Sequence, residues 1–154
     1  MVNNNITFEN ATILFRNFAG EESKYNSKGN RNFCVLVDPE MAPKLMEDGW
    51  NIRFLKPRDD DDTPHPYMQV KVSFGNIPPQ LVLVSDGTKK ILNEEEIGIL
   101  DYAELERVDL IVRPYNWEVN GKSGVKAYLK TGYFKIVDDP LARMYGDYEY
   151  EDGE

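Results

Sequence analysis

The sequence predicts a mainly β fold, a compact antiparallel barrel or sandwich with one or two short helices, and three observations carry that expectation. Segments rich in β-branched and aromatic residues recur, as in Ile6 to Phe18 and Arg31 to Val37. Tyr67 to Phe74 alternates cleanly, with Met68, Val70, Val72 and Phe74 on one face and Tyr67, Gln69, Lys71 and Ser73 on the other. Near the end, two strand-like stretches flank Asn120-Gly121, a strong reversal signal. A chain of 154 residues, 41% hydrophobic and 12% aromatic, is long enough for one domain with a sizeable core.

Each element follows in order. Between the first two strands, Gly20 to Asn30 (GEESKYNSKGN) is polar, bounded by glycine and read as a loop. Pro39 to Asp48 suits a short helix that Gly49 ends, and Pro43 allows it to begin only near that point. Trp50 to Lys56 resumes strand character with Trp50, Ile52 and Phe54 on one face, which leaves Trp50 open between core and groove. Pro57 to Pro66 (PRDDDDTPHP) is a charged loop, Leu81 to Val84 a short buried run, and Asp86-Gly87 a turn. Glu94 to Glu106 is the best place for a second helix, with Gly98 counting against it.

The last unit pairs Asp109 to Trp117 with Val125 to Val137 across the turn Glu118 to Gly124. If Tyr115 lies opposite Lys126, then Arg113, Tyr115 and Trp117 share a face with Lys126, Tyr128 and Lys130, while Val125, Ala127 and Leu129 point to a core.

Composition removes several function classes. One cysteine, Cys34, forms no internal disulfide, and one histidine, His65, is too few for the usual zinc sites or a Ser-His-Asp triad. Cys34 sits in an apolar strand and reads as a core residue. No glycine-rich phosphate loop is present, and no apolar run approaches the ~20 residues that span a bilayer. The start, MVNNNITFEN, lacks the basic and apolar regions of a secretory signal. Asp59 to Asp62 is a run of acids that repel one another and stay solvated, and a metal-dependent nuclease would need carboxylates converging from separate elements. A non-enzymatic, cytoplasmic binding protein without cofactor or metal is expected.

Net charge is −9, yet its distribution matters more than its sum. The stretch Asp138 to Glu154 holds seven acids and one base, which leaves only −3 for the body up to Val137. The expected organisation is therefore a binding domain over 1–137 and a disordered acidic tail over 138–154. Within the body, aromatic residues interleave with lysine and arginine in two places. Flat bases stack on aromatic rings at ~1–3 kcal/mol per base, whatever the sequence, and the phosphates between them need cations. The hairpin face supplies Arg113, Tyr115, Trp117, Lys126, Tyr128 and Lys130, with Lys122 at its tip. The first loop and its margins supply Arg16, Phe18, Lys24, Tyr25, Lys28 and Arg31. These thirteen residues are the candidate nucleic-acid-binding set, and single-stranded DNA is the expected partner. RNA fits the same chemistry unless a contact reads the 2′-hydroxyl. The rival reading is an acidic module that binds a host protein by mimicking DNA charge, which would require acid spread over the surface.

The stretch RPYNWEVNGKSGVKAYL, Arg113 to Leu129, resembles the closing hairpin of single-stranded DNA-binding proteins of tailed bacteriophages, with its aromatic strand, G-K-x-G turn and return strand. The patterns ITFENATILFRNFAG and RNFCVLVD are similar to the same family. The resemblance covers about Ile6 to Val137. It implies an OB-fold, a five-stranded, partly open barrel whose groove binds single strands. It further implies a role in phage DNA replication, recombination and repair in the bacterial host, with the acidic tail contacting replication proteins.

Overall fold

Alternating apolar and polar residues commit most of the chain to strands. The computed structural model describes residues 2–56, 64–75, 77–85 and 87–137. Its strands are Ile6–Phe8 (β1), Ile13–Asn17 (β2), Arg31–Leu36 (β3), Ile52–Leu55 (β4), His65–Val72 (β5), Gln80–Ser85 (β6), Thr88–Leu92 (β7), Leu105–Val119 (β8) and Lys122–Ile136 (β9). They are joined by one helix, Ala42–Asp48 (α1), and a 3-10 turn, Ile97–Asp101. The acidic tail and most of the Pro57 to Pro66 loop, including Asp59 to Asp62, lie outside the described residues.

The hydrogen-bonded order is β1-β8-β9-β5-β3-β2, so the ladders leave the sheet open between β1 and β2. Those two strands are one bent segment, which the sequence suggested as a single run from Ile6 to Phe18. Around the bend, the Ala11 N–H donates to the Val108 carbonyl at 2.7 Å and the Thr12 carbonyl accepts from the Leu36 N–H at 3.0 Å. The bent strand thus bridges β8 and β3 and completes a five-membered, partly open ring, the OB-like architecture. The expectation of a wholly antiparallel barrel needs correction, because β9 pairs in parallel with both β5 (Val70↔Ala127) and β6 (Leu81↔Gly132). Long connections separate each of these strands from β9, as parallel pairing requires. β7, which has no strong sequence signal, extends the sheet as an antiparallel partner of β6.

Two bulges decide which side chains face inward. On β9 the register changes between Val112↔Leu129 and Ile111↔Thr131, which leaves Lys130 as the extra residue. Odd positions Val125, Ala127 and Leu129 are buried before it, and Phe134 is buried after it. On β2, Leu14 pairs with Cys34 and Asn17 with Asn32, so Phe15 and Arg16 together oppose Phe33. Phe15 takes a left-handed conformation, φ 51°, a strain of ~1–3 kcal/mol for a residue of this type. That bulge turns Phe18 into the core, where it is fully buried.

The core contains Phe18, Phe33, Met68, Val70, Leu110, Leu129 and Phe134 among others. Trp50 is 4% exposed and packs in the core while its edge also lines a surface concavity between β5 and the β8–β9 hairpin, and Cys34 is buried as expected. Ile52 is buried beside Trp50, but Phe54 is not. Among the described residues β4 pairs with β5 alone.

The helices are shorter than the sequence suggests. α1 starts at Ala42 rather than Pro39, with Pro43 in its first turn, and ends at Gly49 in the left-handed region, φ 105°. The expected helix from Glu94 to Glu106 is reduced to the 3-10 turn, in which Ile97 and Leu100 are buried. The Asp101 carboxylate there accepts the Phe18 and Ala19 N–H groups at 2.6 and 3.1 Å. From Leu105 the chain is already paired with β9.

Candidate nucleic-acid interface

The β8–β9 hairpin has the register its residues suggested, with Tyr115 opposite Lys126, Arg113 opposite Tyr128 and Trp117 opposite Gly124. Asn120 and Gly121, both at positive φ, make the two-residue tip that Lys122 follows. On the outward face the aromatic residues support one another. Tyr115 meets Tyr128 edge to face at 5.7 Å, and the Arg113 guanidinium lies 4.9 Å from the Tyr128 ring centre. The Nε of Arg113 is buried and has no hydrogen-bond partner among the described residues. Trp117 lies flat over Gly124, so closely that a Cβ there would come within 2.9 Å of the indole. Only glycine lets the ring rest on the strand. Tyr115 stays half-exposed, and Lys126 and Lys130 are exposed.

The first loop, between β2 and β3, is built around Asn26. Its side-chain amide donates to the carbonyls of Glu21, Ser27 and Asn30, and its oxygen accepts from Asn32 Nδ2 at 3.0 Å. A bond from the Gly29 N–H to the Gly20 carbonyl, 2.8 Å, closes the base of the loop. The result presents Tyr25 at the tip, 89% exposed, with Lys24 Nζ 5.6 Å from its ring. Lys28 is exposed nearby.

Between loop and hairpin run two adjoining concavities of about 570 and 600 Å³ that share Gln69 and Lys71 of β5. The first is walled by Trp117 and Lys126, the second by Tyr25, Asn32 and Tyr128. Together they form one trough across the sheet. Lys71 is its centre, in register with Tyr128. Burial, and then the charge of Lys126, push the Lys71 ammonium below its ordinary pKa. The two ammonium groups make this stretch of the trough electropositive. Trp117 also lines an adjoining hollow that shares Gly49, Ser123, Gly124 and Val125 with the first concavity and adds the acids Glu47, Asp48 and Glu118.

Two candidates do not belong to this surface, and a third, Arg31, lines it with its charge already engaged. Phe18 is a core residue, stacked on Phe33 at 5.0 Å and edge-on to Phe134 at 5.6 Å, because the β2 bulge reverses its facing. Arg16 turns its guanidinium to the carbonyls of Leu100 and Ala103, at 2.8 and 2.7 Å, and ties β2 to the 3-10 turn. Arg31 borders the trough, but it donates to the Phe18 carbonyl at 2.7 Å and faces Glu94 at 3.6 Å, so its charge is largely committed. Conversely, Gln69, Lys71 and Asn32 were absent from the candidate set. The alternation of Tyr67 to Phe74 already placed Gln69 and Lys71 outward, and that was the available signal.

The described residues contain no cluster of acids, histidines and cysteines suited to a metal ion and no helix long and apolar enough to cross a membrane. No curated protein matches the chain. Among solved structures it is similar to the single-stranded DNA-binding protein of bacteriophage Enc34 in complex with ssDNA, at 12% identity and a TM-score of 0.57, with 89% of each chain covered. Another structure of that phage protein matches at 12% identity and a TM-score of 0.55, over 97% of this chain and 89% of the other. At such identities the likeness is one of fold. The family model described as "Putative phage ssDNA-binding domain" matches residues 1–154, and the chain belongs to that phage single-stranded DNA-binding family.

Proposed function

We propose that the protein binds single-stranded DNA without reading its sequence, along the trough from Tyr25 through Lys71 to Trp117. The observation that carries this reading is the convergence, across β5, of the hairpin's aromatic and basic face with the ordered first loop. Bases stack on Tyr115, Trp117, Tyr128 and Tyr25, while Lys71, Lys126, Arg113, Lys24, Lys28 and Lys122 meet phosphates. Nothing in this chemistry makes or breaks a bond, so the role is non-enzymatic: coating single strands during phage DNA replication, recombination and repair in the host cytoplasm. The rival DNA-mimic reading fits poorly with a basic trough.

The test is an anisotropy titration of labelled oligo-dT at low and high salt, beside a duplex of equal length. The expected result is salt-sensitive binding with preference for the single strand, and absence of binding at low salt would sink the proposal. Lys71 gives a sharper readout. A phosphate held between Lys71 and Lys126 favours the charged ammonium, so in the alkaline range where Lys71 titrates binding takes up a proton. Affinity is therefore expected to fall as pH is raised toward the ordinary lysine value of 10.5. Lys71→Met should abolish Lys71's share of that fall and reduce the salt slope by ~0.7, the value for one phosphate contact on a single strand. An unchanged slope would remove Lys71 from the path.

The binding domain is taken as 1–137, followed by an acidic tail. With a net charge of −6 over Asp138 to Glu154, the tail competes weakly for the trough and offers a docking site to replication proteins. Deleting Met144 to Glu154 is expected to tighten oligo-dT binding or leave it unchanged, and a marked loss would show that the tail helps build the site.

A further inference from the structure

The bulge on β2 leaves an aromatic residue largely in solvent at a strained backbone position. Phe15 is 63% exposed, and its backbone sits at φ 51°, a region that bulky side chains rarely adopt. Its ring meets Tyr67 of β5 edge to face at 6.1 Å. Tyr67 is paired with Arg53 of β4, whose side chain is exposed and lies close enough to Cys34 for its charge to be felt there. These groups lie on the outward face of β5, the same face that carries Gln69 and Lys71. The outward ladder positions of β2, β3 and β5 on this side (Leu14, Asn17, Asn32, Cys34, Leu36, Tyr67, Gln69, Lys71) include no acid.

We propose that Phe15, Tyr67 and Arg53 form a second stacking platform that extends the single-strand path beyond the trough, across β5 toward β2 and β4. The proposal rests on the trough reading and deepens it. Three features point to nucleic acid rather than to another occupant. The platform adjoins the trough through Gln69; it sets two aromatic rings beside a cation, Arg53, the ladder partner of Tyr67; and no acid stands at those described ladder positions of β2, β3 and β5. Tyr67 lies four residues before Lys71 on β5, about 13 Å at ~3.3 Å per residue, so a strand that stops at Lys71 never reaches it. A longer strand does. The strained backbone of Phe15 then has a use, because the bulge lifts the ring clear of the β2–β3 ladder and aims it at Tyr67.

The experiment compares two oligo-dT lengths, about 4 and about 16 nucleotides, the limits of common OB-fold site sizes. Phe15→Asn suits the left-handed backbone and removes the ring. It should weaken the longer oligonucleotide about fivefold or more, as expected for one lost stacking partner, and leave the shorter one unaffected. Photocrosslinking of the wild-type protein to 5-iodouracil-substituted oligo-dT of the longer size should attach to Phe15 or Tyr67, a readout that needs no variant to fold. Wild-type affinity of Phe15→Asn for the longer strand, or crosslinks confined to the trough, would overturn the platform while leaving the trough standing. If the unaltered protein binds neither length, the trough itself is wrong. Self-association of the wild-type protein that Phe15→Asn abolishes, with no change in DNA binding, would assign the patch to a second copy of the chain and overturn the proposal.

Discussion

Replacing Tyr115 and Trp117 together by alanine is expected to weaken oligo-dT binding by more than about tenfold while the protein stays folded, since each stacked base is worth ~1–3 kcal/mol. Neither ring supports the core. Tyr115 is 50% exposed, and Trp117 rests on Gly124 at the sheet surface, away from the buried cluster. Both sit near the tip of a hairpin whose inward residues, Val125, Ala127 and Leu129, remain untouched. Removing Tyr115 also takes away one of the two neighbours that steady Tyr128, so the double loss should exceed the effect of either ring alone. Thermal unfolding read beside the titration separates the two kinds of damage. A variant that unfolds as the wild type does and still binds normally would show that the hairpin face is not the site.

How much of this surface was legible in the sequence depended on whether a local rule decided it. The hairpin was legible because Asn120-Gly121 fixes a two-residue turn, and the turn fixes the register of every pair up to Val112↔Leu129. The rule fails at Lys130, where one extra residue changes the facing of the rest of β9, and no composition signal marks such a bulge. β2 shows the same limit. Strict alternation from Leu14, an outward ladder position, would carry Phe18 outward as well, but the extra residue at the Phe15 bulge turns it inward. The helical pattern from Glu94 was overruled from outside the segment, since the Asp101 carboxylate is drawn to the N–H groups of Phe18 and Ala19, far away in sequence.

Charge was legible only as type. Arg16, Arg31 and Lys71 look alike in a sequence, and their environments divide them. Arg16 and Arg31 found carbonyl oxygens left by the 3-10 turn and by the bulged strand, so they serve the fold. Lys71 stands near another cation, Lys126, and lines both halves of the trough. The parallel contact between β5 and β9 brought those two lysines together, and parallel pairing between strands so distant in sequence follows from topology rather than from any local pattern.

Phe18 supplies the converse test, because its type and its neighbours suggested a stacking residue and its burial makes it a core residue. Phe18→Ala is expected to cost ~3–5 kcal/mol of stability, the range for a fully buried phenylalanine. For a chain of this size that corresponds to a fall in Tm of roughly 6–20 °C. The loss is large for a specific reason: the ring fills the space between Phe33 and Phe134, and Phe134 already crowds Gly132, which has no side chain to move into the gap. The backbone at this position is also fixed, with its N–H on Asp101 and its carbonyl on Arg31, so the strand cannot readily slide to close the cavity. Measured well below the lowered Tm, oligo-dT affinity should change far less than in the Tyr115 and Trp117 variant. The opposite pattern, normal melting with a large loss of affinity, would mean that Phe18 leaves the core to meet a base. The root of the first loop would then move on binding, and the fixed trough described above would be wrong.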